Sequence, residues 1–179
     1  MKNIAIIGIG KMGVSHLAIA NQTAGINVNA ICDTSKQLMR VMEKNTVFNC
    51  FTDYKKMIES VPLDGVMILV PNSLHFDIAK FCIVKGLHVF IEKPFTLSYA
   101  DSKILIDMAT EKQVVGQVGY VNRFNPIFEQ AKGLLDSGVI GTVTNYINRM
   151  TGGVILKEPN KGWRNDYAKG GGCLYDYGP

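Results

Sequence analysis

The sequence has no dense run of one charge, no long apolar run and no paired cysteines. Each absence excludes something. The 19 lysines and arginines stand against 15 acids, a net charge of +4, and they are scattered, so no footprint for nucleic acid is present. No stretch approaches the roughly 20 apolar residues a membrane helix needs, so no membrane partner is expected. Met1-Lys2-Asn3 leads into Ile4-Ala5-Ile6-Ile7, but glycines follow at once and no small-residue cleavage site closes the run. The N-terminus therefore does not read as a secretion signal. Cys32, Cys50, Cys82 and Cys173 form no C-x-x-C pair. Buried, reduced thiols are the plain reading, and they place the protein in the cytoplasm.

What is present is an ordinary globular composition, 47% apolar and 19% charged over 179 residues. That suffices for one full domain with part of another. Strand-like and helix-like stretches alternate. Strands are expected over 3–7, 28–32, 47–51, 65–70, 88–91 and 114–120. Helices are expected over 14–21, 36–43, 54–59, 73–85 and 98–110, the last with Ile104, Leu105 and Met108 on one face. This alternation predicts a parallel, doubly wound α/β sheet of the Rossmann kind. The character changes after Tyr120. A helix is expected from Asn125-Pro126 to about Leu135, then a hairpin arm over 139–150 with Gly141-Thr142 at its turn, then a loop over a site. The expected division is 1–122 for a dinucleotide-binding domain and 123–179 for the beginning of a second domain.

The first strand runs into Gly8-Ile9-Gly10-Lys11-Met12-Gly13, which opens the first helix. Gly8 permits the tight turn, Gly10 lets a pyrophosphate approach the backbone, and Gly13 lets helix and strand pack closely. The helix N-terminus then offers N–H groups to the phosphates, so Gly8, Gly10, Lys11, Met12 and Gly13 are candidate cofactor contacts. A lone G-x-G-x-x-G is weak evidence, but strand before and helix after are the context it requires. Asp33 ends the second strand, 20 residues after Gly13 (33 − 13). A carboxylate there accepts the adenosine ribose hydroxyls and repels a 2′-phosphate, favouring NAD; Lys36 nearby leaves NADP possible. Asp33 also suits a helix cap beside Ser35, and the two roles can coexist.

Ligands of open α/β sheets bind beyond the carboxyl ends of the strands. There lie Pro71, Asn72 and His75, and further on Glu92-Lys93-Pro94. Pro71, Asn72, His75 and Glu92 are candidates to line the cofactor, although His75 taken alone reads more plainly as a solvated or capping histidine. Lys93, between an acid and a proline at the mouth of the sheet, suits proton transfer or the holding of a substrate hydroxyl. A cis Pro94 would fix its direction. The alternative is an exposed lysine in an ordinary turn.

These motifs, with Gly119-Tyr120-x-x-Arg123-Phe124-x-Pro126 and Gly170-Gly171-Gly172-x-Leu174-x-Asp176-x-Gly178, occur in an order and spacing that resembles the glucose–fructose oxidoreductase, inositol dehydrogenase and rhizopine-catabolism (Gfo/Idh/MocA) family. The resemblance implies an NAD(P)-dependent oxidoreductase acting on a sugar, cyclitol, sugar nucleotide or related polyol. It implies a second α/β domain with an open, mostly antiparallel sheet that carries substrate and forms a homo-oligomer. By position, Lys93 matches the family's catalytic lysine and Asp176 the acid that holds substrate. Arg123 and the pair Trp163-Arg164 match residues near the cofactor; no metal is implied. The family pattern continues Asp-x-Gly-x-His to its general base, while this sequence runs Asp176-Tyr177-Gly178-Pro179. The expectation is a piece of a longer protein, cut one residue before that histidine and with little turnover by itself. Two other readings stay open: a non-catalytic NAD(H) sensor, and NAD-assisted glycoside cleavage on the same scaffold.

Overall fold

The computed structural model describes residues 1–149 together with 166, 171, 172 and 178. Trp163, Arg164, Cys173 and Asp176, and most of the loop expected over a site, lie outside the described residues. The chain divides into two compact units, Met1–Val118 and Gly119–Pro179.

The first unit is a six-stranded, wholly parallel sheet in the order β3-β2-β1-β4-β5-β6. Its strands are β1 (Lys2–Ile7), β2 (Ile26–Cys32), β3 (Asn49–Phe51), β4 (Gly65–Ile68), β5 (His88–Ile91) and β6 (Gly116–Val118). The helices between them are α1 (Lys11–Gln22), α2 (Lys36–Asn45), α3 (Tyr54–Ser60), α4 (His75–Val84) and α5 (Tyr99–Glu111). Parallel neighbours need crossovers, and the helices supply them.

Strand alternation sends neighbouring side chains to opposite faces, and two cores result. Ala5, Ile7, Ala30, Cys32, Val66, Ile68, Val89 and Ile91 pack against Met57, Ile78, Cys82, Ile83 and Leu105 from α3, α4 and α5. Ile6, Val28 and Ile31 face Leu17, Ala20 and Met39 from α1 and α2. Both faces are covered at the centre of the sheet, so the runs 4–7, 66–68 and 89–91 are apolar.

Local signals end the helices where the sequence places them. Asp53 caps α3 through its carboxylate, Ser98 caps α5, and Gly86 leaves α4 in the left-handed region at φ +77°. On α5, Leu105 is buried and Met108 half-buried, but Ile104 is exposed. β4 stops at Ile68 rather than running to Val70: the Leu69 N–H still reaches the Ile7 carbonyl, but the chain bends at Val70 and Pro71 cannot extend a ladder. The helix expected from 73 begins with a 3₁₀ turn, Asn72–Leu74, before α4.

In the second unit, α6 (Pro126–Asp136) begins at Asn125, whose side chain accepts the Ile127 N–H. Of the hairpin arm expected over 139–150, the described residues 139–149 are turn and coil, and Val139, Ile140, Val143, Tyr146 and Ile147 are exposed. A strand needs a ladder partner for its backbone groups, and none of the described residues pairs with this segment. The antiparallel sheet expected of a second domain is thus absent among the described residues.

Candidate dinucleotide site

β1 and β4 are adjacent in the sheet, but the connections from them run outward in opposite directions. A crevice opens beyond their carboxyl ends, at the switch point where such sheets bind nucleotides. The glycine turn and residues 70–72 flank it.

The turn is fixed by what its glycines lack. Gly8 sits at φ +96°, and a Cβ there would stand 2.5 Å from the Leu69 carbonyl oxygen. A Cβ on Gly13 would stand 2.1 Å from the Gly8 carbonyl oxygen. Neither neighbour can yield, since both are backbone. Gly10 differs: a Cβ there would meet nothing within 4 Å. That open space is on the side a pyrophosphate would fill. α1 begins immediately after, with no side-chain cap and no acid in its first turn. Its hydrogen-bond ladder starts with Val14 N–H donating to the Gly10 carbonyl, so the amides of Lys11 and Met12 precede it. An uncapped N-terminus beside a vacant Cβ position fits a dinucleotide phosphate.

Asp33 follows β2. Its Oδ2 accepts the Ile9 N–H at 2.9 Å and its Oδ1 the Ser35 N–H at 2.9 Å. It therefore ties the glycine turn to the start of α2, where Ser35 caps the helix through Leu38 N–H. Each carboxylate oxygen keeps a further acceptor site for a ribose hydroxyl.

Asn72 is buried beside exposed Pro71. His75 corrects the sequence reading. Its side chain is fully buried and is not solvated; only its backbone N–H caps, closing the 3₁₀ turn on the Asn72 carbonyl. Its Nδ1 lies 2.8 Å from the Pro94 carbonyl oxygen and its Nε2 3.0 Å from that of Val70. The ring joins the loop after β4 to the loop after β5 and turns no nitrogen outward.

Lys93 is half-buried just past β5, and the Lys93–Pro94 peptide is cis. Its backbone N–H donates to Glu92 Oε2 at 3.0 Å. Glu92 Oε1 meets His16 Nε2 at 2.9 Å, and the His16 ring lies against Phe90 at 5.2 Å between centroids. Burial pushes the Glu92 carboxyl up, but the His16 hydrogen bond, the Lys93 N–H and the charges of both residues outweigh it and hold the group below its usual value. Sequence reading passed over His16; its only local signal is a histidine three residues after Gly13 on the sheet-facing side of α1. Arg123 is exposed in the 3₁₀ turn Val121–Phe124 of the second unit. Among the described residues, no group of side chains could hold a metal ion, and no helix is long and apolar enough to cross a membrane.

Strand order, the glycine turn and a carboxylate just past β2 together have the form of a dinucleotide-binding α/β protein. Residues 2–120 match the model of the oxidoreductase family with an NAD-binding Rossmann fold, GFO_IDH_MocA, and the chain belongs to that family. It is 30% identical over 144 residues to a scyllo-inositol 2-dehydrogenase (NAD(+)) of Bacillus subtilis, covering 79% of this chain and 42% of that protein. It is 28% identical over 173 residues to a 2,7-anhydro-N-acetylneuraminate hydratase of Mediterraneibacter gnavus, covering 97% and 46%. The scyllo-inositol dehydrogenase of Lactobacillus casei, solved with bound NAD(H) and scyllo-inositol, superposes with a TM-score of 0.73 at 26% identity, covering 80% of this chain and 43% of that one. The chain thus spans less than half the length of the curated relatives it matches.

Proposed function

We propose that the protein is an NAD-dependent oxidoreductase that moves a hydride between the nicotinamide and a carbinol carbon of a cyclitol or sugar. The observation that carries this reading is Lys93, held half-buried at the carboxyl end of β5 in the same sheet as the glycine turn. Bound NAD would supply the hydride acceptor at its nicotinamide. Gly8, Gly10, Lys11, Met12 and Gly13 would hold the pyrophosphate and Asp33 the ribose, with Pro71, Asn72 and the backbone near Glu92 lining the remainder. Lys93 would hold the substrate hydroxyl and stabilise charge growing on its oxygen. By family position, Asp176 would fix the substrate, and Arg123, Trp163 and Arg164 would approach the cofactor. We assign 1–122 to the dinucleotide and 123–179 to the start of a substrate and subunit-contact domain, in a homo-oligomer working in the reducing cytoplasm. The carboxylate of Asp33 favours NAD over NADP.

The test uses protein expressed from its whole gene. Purified enzyme should form NADH on addition of scyllo- or myo-inositol or a related sugar, and Lys93→Met should lower kcat by roughly 100-fold or more while NADH binding persists. Unchanged turnover in Lys93→Met would remove the lysine from the mechanism. The hydratase relative favours a second reading, in which NAD takes part without net redox change. Substrate consumption with no net NADH formed would select it.

A further inference from the structure

We propose that His16 is a positioning residue for Lys93: from the dinucleotide-binding helix it locks Glu92, and Glu92 in turn anchors the Lys93 backbone. This rests on the reading of Lys93 given above.

The geometry is sequential. Phe90 and Glu92, two residues apart, share the sheet face that α1 covers. His16 meets both, its ring on Phe90 and its Nε2 on Glu92 Oε1. It reaches them across β4, since the order is β1-β4-β5. At this point the sheet ends. Ile91 is the last β5 residue paired with β4 and β6, and the Glu92 N–H goes to the Ile68 carbonyl. The next N–H, that of Lys93, is taken by the side chain of the preceding residue. For Glu92 to fold back over its own backbone, its side-chain torsions must be held, or the carboxylate would swing to water.

His16 does that holding. An ionised carboxylate only accepts, so Nε2 is the donor, and a charge-assisted bond inside a site that is mostly shielded from water is stronger than one at the surface. The side chains of His16 and Glu92 are 15% and 13% exposed. The start of α1 is where the dinucleotide phosphates would lie, and His16 is one turn further along. The helix that follows the glycine turn and the backbone of Lys93 are thereby tied together, the kind of positioning that orients reacting groups.

Hydrogen exchange of individual amides in the full chain, followed by NMR, tests this. His16→Phe keeps the ring on Phe90 and removes the donor. It should speed exchange of the Lys93 amide roughly tenfold, with the Ile91 amide unchanged, and His16→Gln, which restores a donor, should return it towards the native rate. Glu92→Ala should match His16→Phe, and the double variant should add nothing, since the two act in series. An unchanged Lys93 amide in His16→Phe, or Lys93 and Ile91 rising together, overturns the proposal. If His16→Phe does not fold, the comparison of native, His16→Gln and Glu92→Gln decides it by the same two amides. In the whole-gene protein, His16→Phe should lower kcat while leaving the KM for NAD within about twofold. Loss of activity confined to KM also overturns it. These exchange readings stand even if Lys93→Met proves fully active, so the two claims fail separately.

Discussion

At the carboxyl end of β1 the chain turns on glycines whose missing side chains make room for backbone. At the carboxyl end of β5 it turns on side chains that arrive from elsewhere, His16 from α1 and His75 from the head of α4. Both loops lie at the carboxyl edge of the same parallel sheet. The first is specified by sterics between residues close in sequence, or one strand away. The second is specified by hydrogen bonds spanning 76 residues for His16 and 19 for His75. The difference teaches that the glycine turn and the Lys93 loop, on one sheet edge, can be broken by different means.

The largest expected effect is on the glycine side. In Gly13→Ala the new methyl would stand 2.1 Å from the Gly8 carbonyl oxygen, so α1 must move off β1. Loss of about 3 kcal/mol, the upper range for overpacking, is expected in thermal or urea unfolding. Gly10→Ala has no such clash. Its stability should stay within about 0.5 kcal/mol of native, while NADH affinity, read by fluorescence titration, should fall at least roughly tenfold, about 1.4 kcal/mol. Equal loss of stability in the two variants would break the division of labour between these glycines.

On the β5 side, His75→Phe keeps the ring volume but leaves the Pro94 and Val70 carbonyls facing carbon. An unpaired buried acceptor costs about 1–3 kcal/mol, so unfolding should show a loss in that range. A variant as stable as native would mean that the loop is held by packing alone.

The two loops also differ in how far they could be read in advance. Gly8, Gly10 and Gly13 were legible from their fixed spacing between a strand and a helix, although Gly8 makes room for Leu69 one strand away, and the flanking strand and helix follow from periodicity. Asp33 was expected to meet a ribose or to cap a helix; the structure gives the cap of α2 to Ser35 and has the Asp33 carboxylate accept the Ile9 and Ser35 N–H groups. His75 was misread as solvated because its ring partners, the Val70 and Pro94 carbonyls, converge only when β4 and β5 pair. His16 was passed over for the same reason. The arm over 139–149 failed differently: its apolar residues suit a strand, but a strand is defined by its partner. Most of the sheet was thus visible in the sequence, while the contacts that hold the loop after β5 were not.

The smallest effect concerns protons, and it should separate the two loops again. The Gly13 contact involves no ionisable group. The β5 edge depends on Glu92, whose carboxyl is held below its usual value despite burial. In the unfolded chain that carboxyl binds its proton near the ordinary value of about 4.3. The folded form binds it only at lower pH. Between those values the unfolded state carries more protons, so stability falls as pH falls. The Glu92 contribution is therefore complete above the ordinary carboxylate range and is lost as pH drops through the folded value. Urea unfolding from pH 7 to pH 3 should show native protein losing stability more steeply than Glu92→Gln, with Gly10→Ala following the native slope. Asp64 is also held low, by the Lys2 side chain and the Asn3 N–H, and both proteins share its contribution, so the difference between them isolates Glu92. Parallel curves for native and Glu92→Gln would show that the proton on this carboxyl does not matter to the fold and that the β5 edge is held by His75 instead.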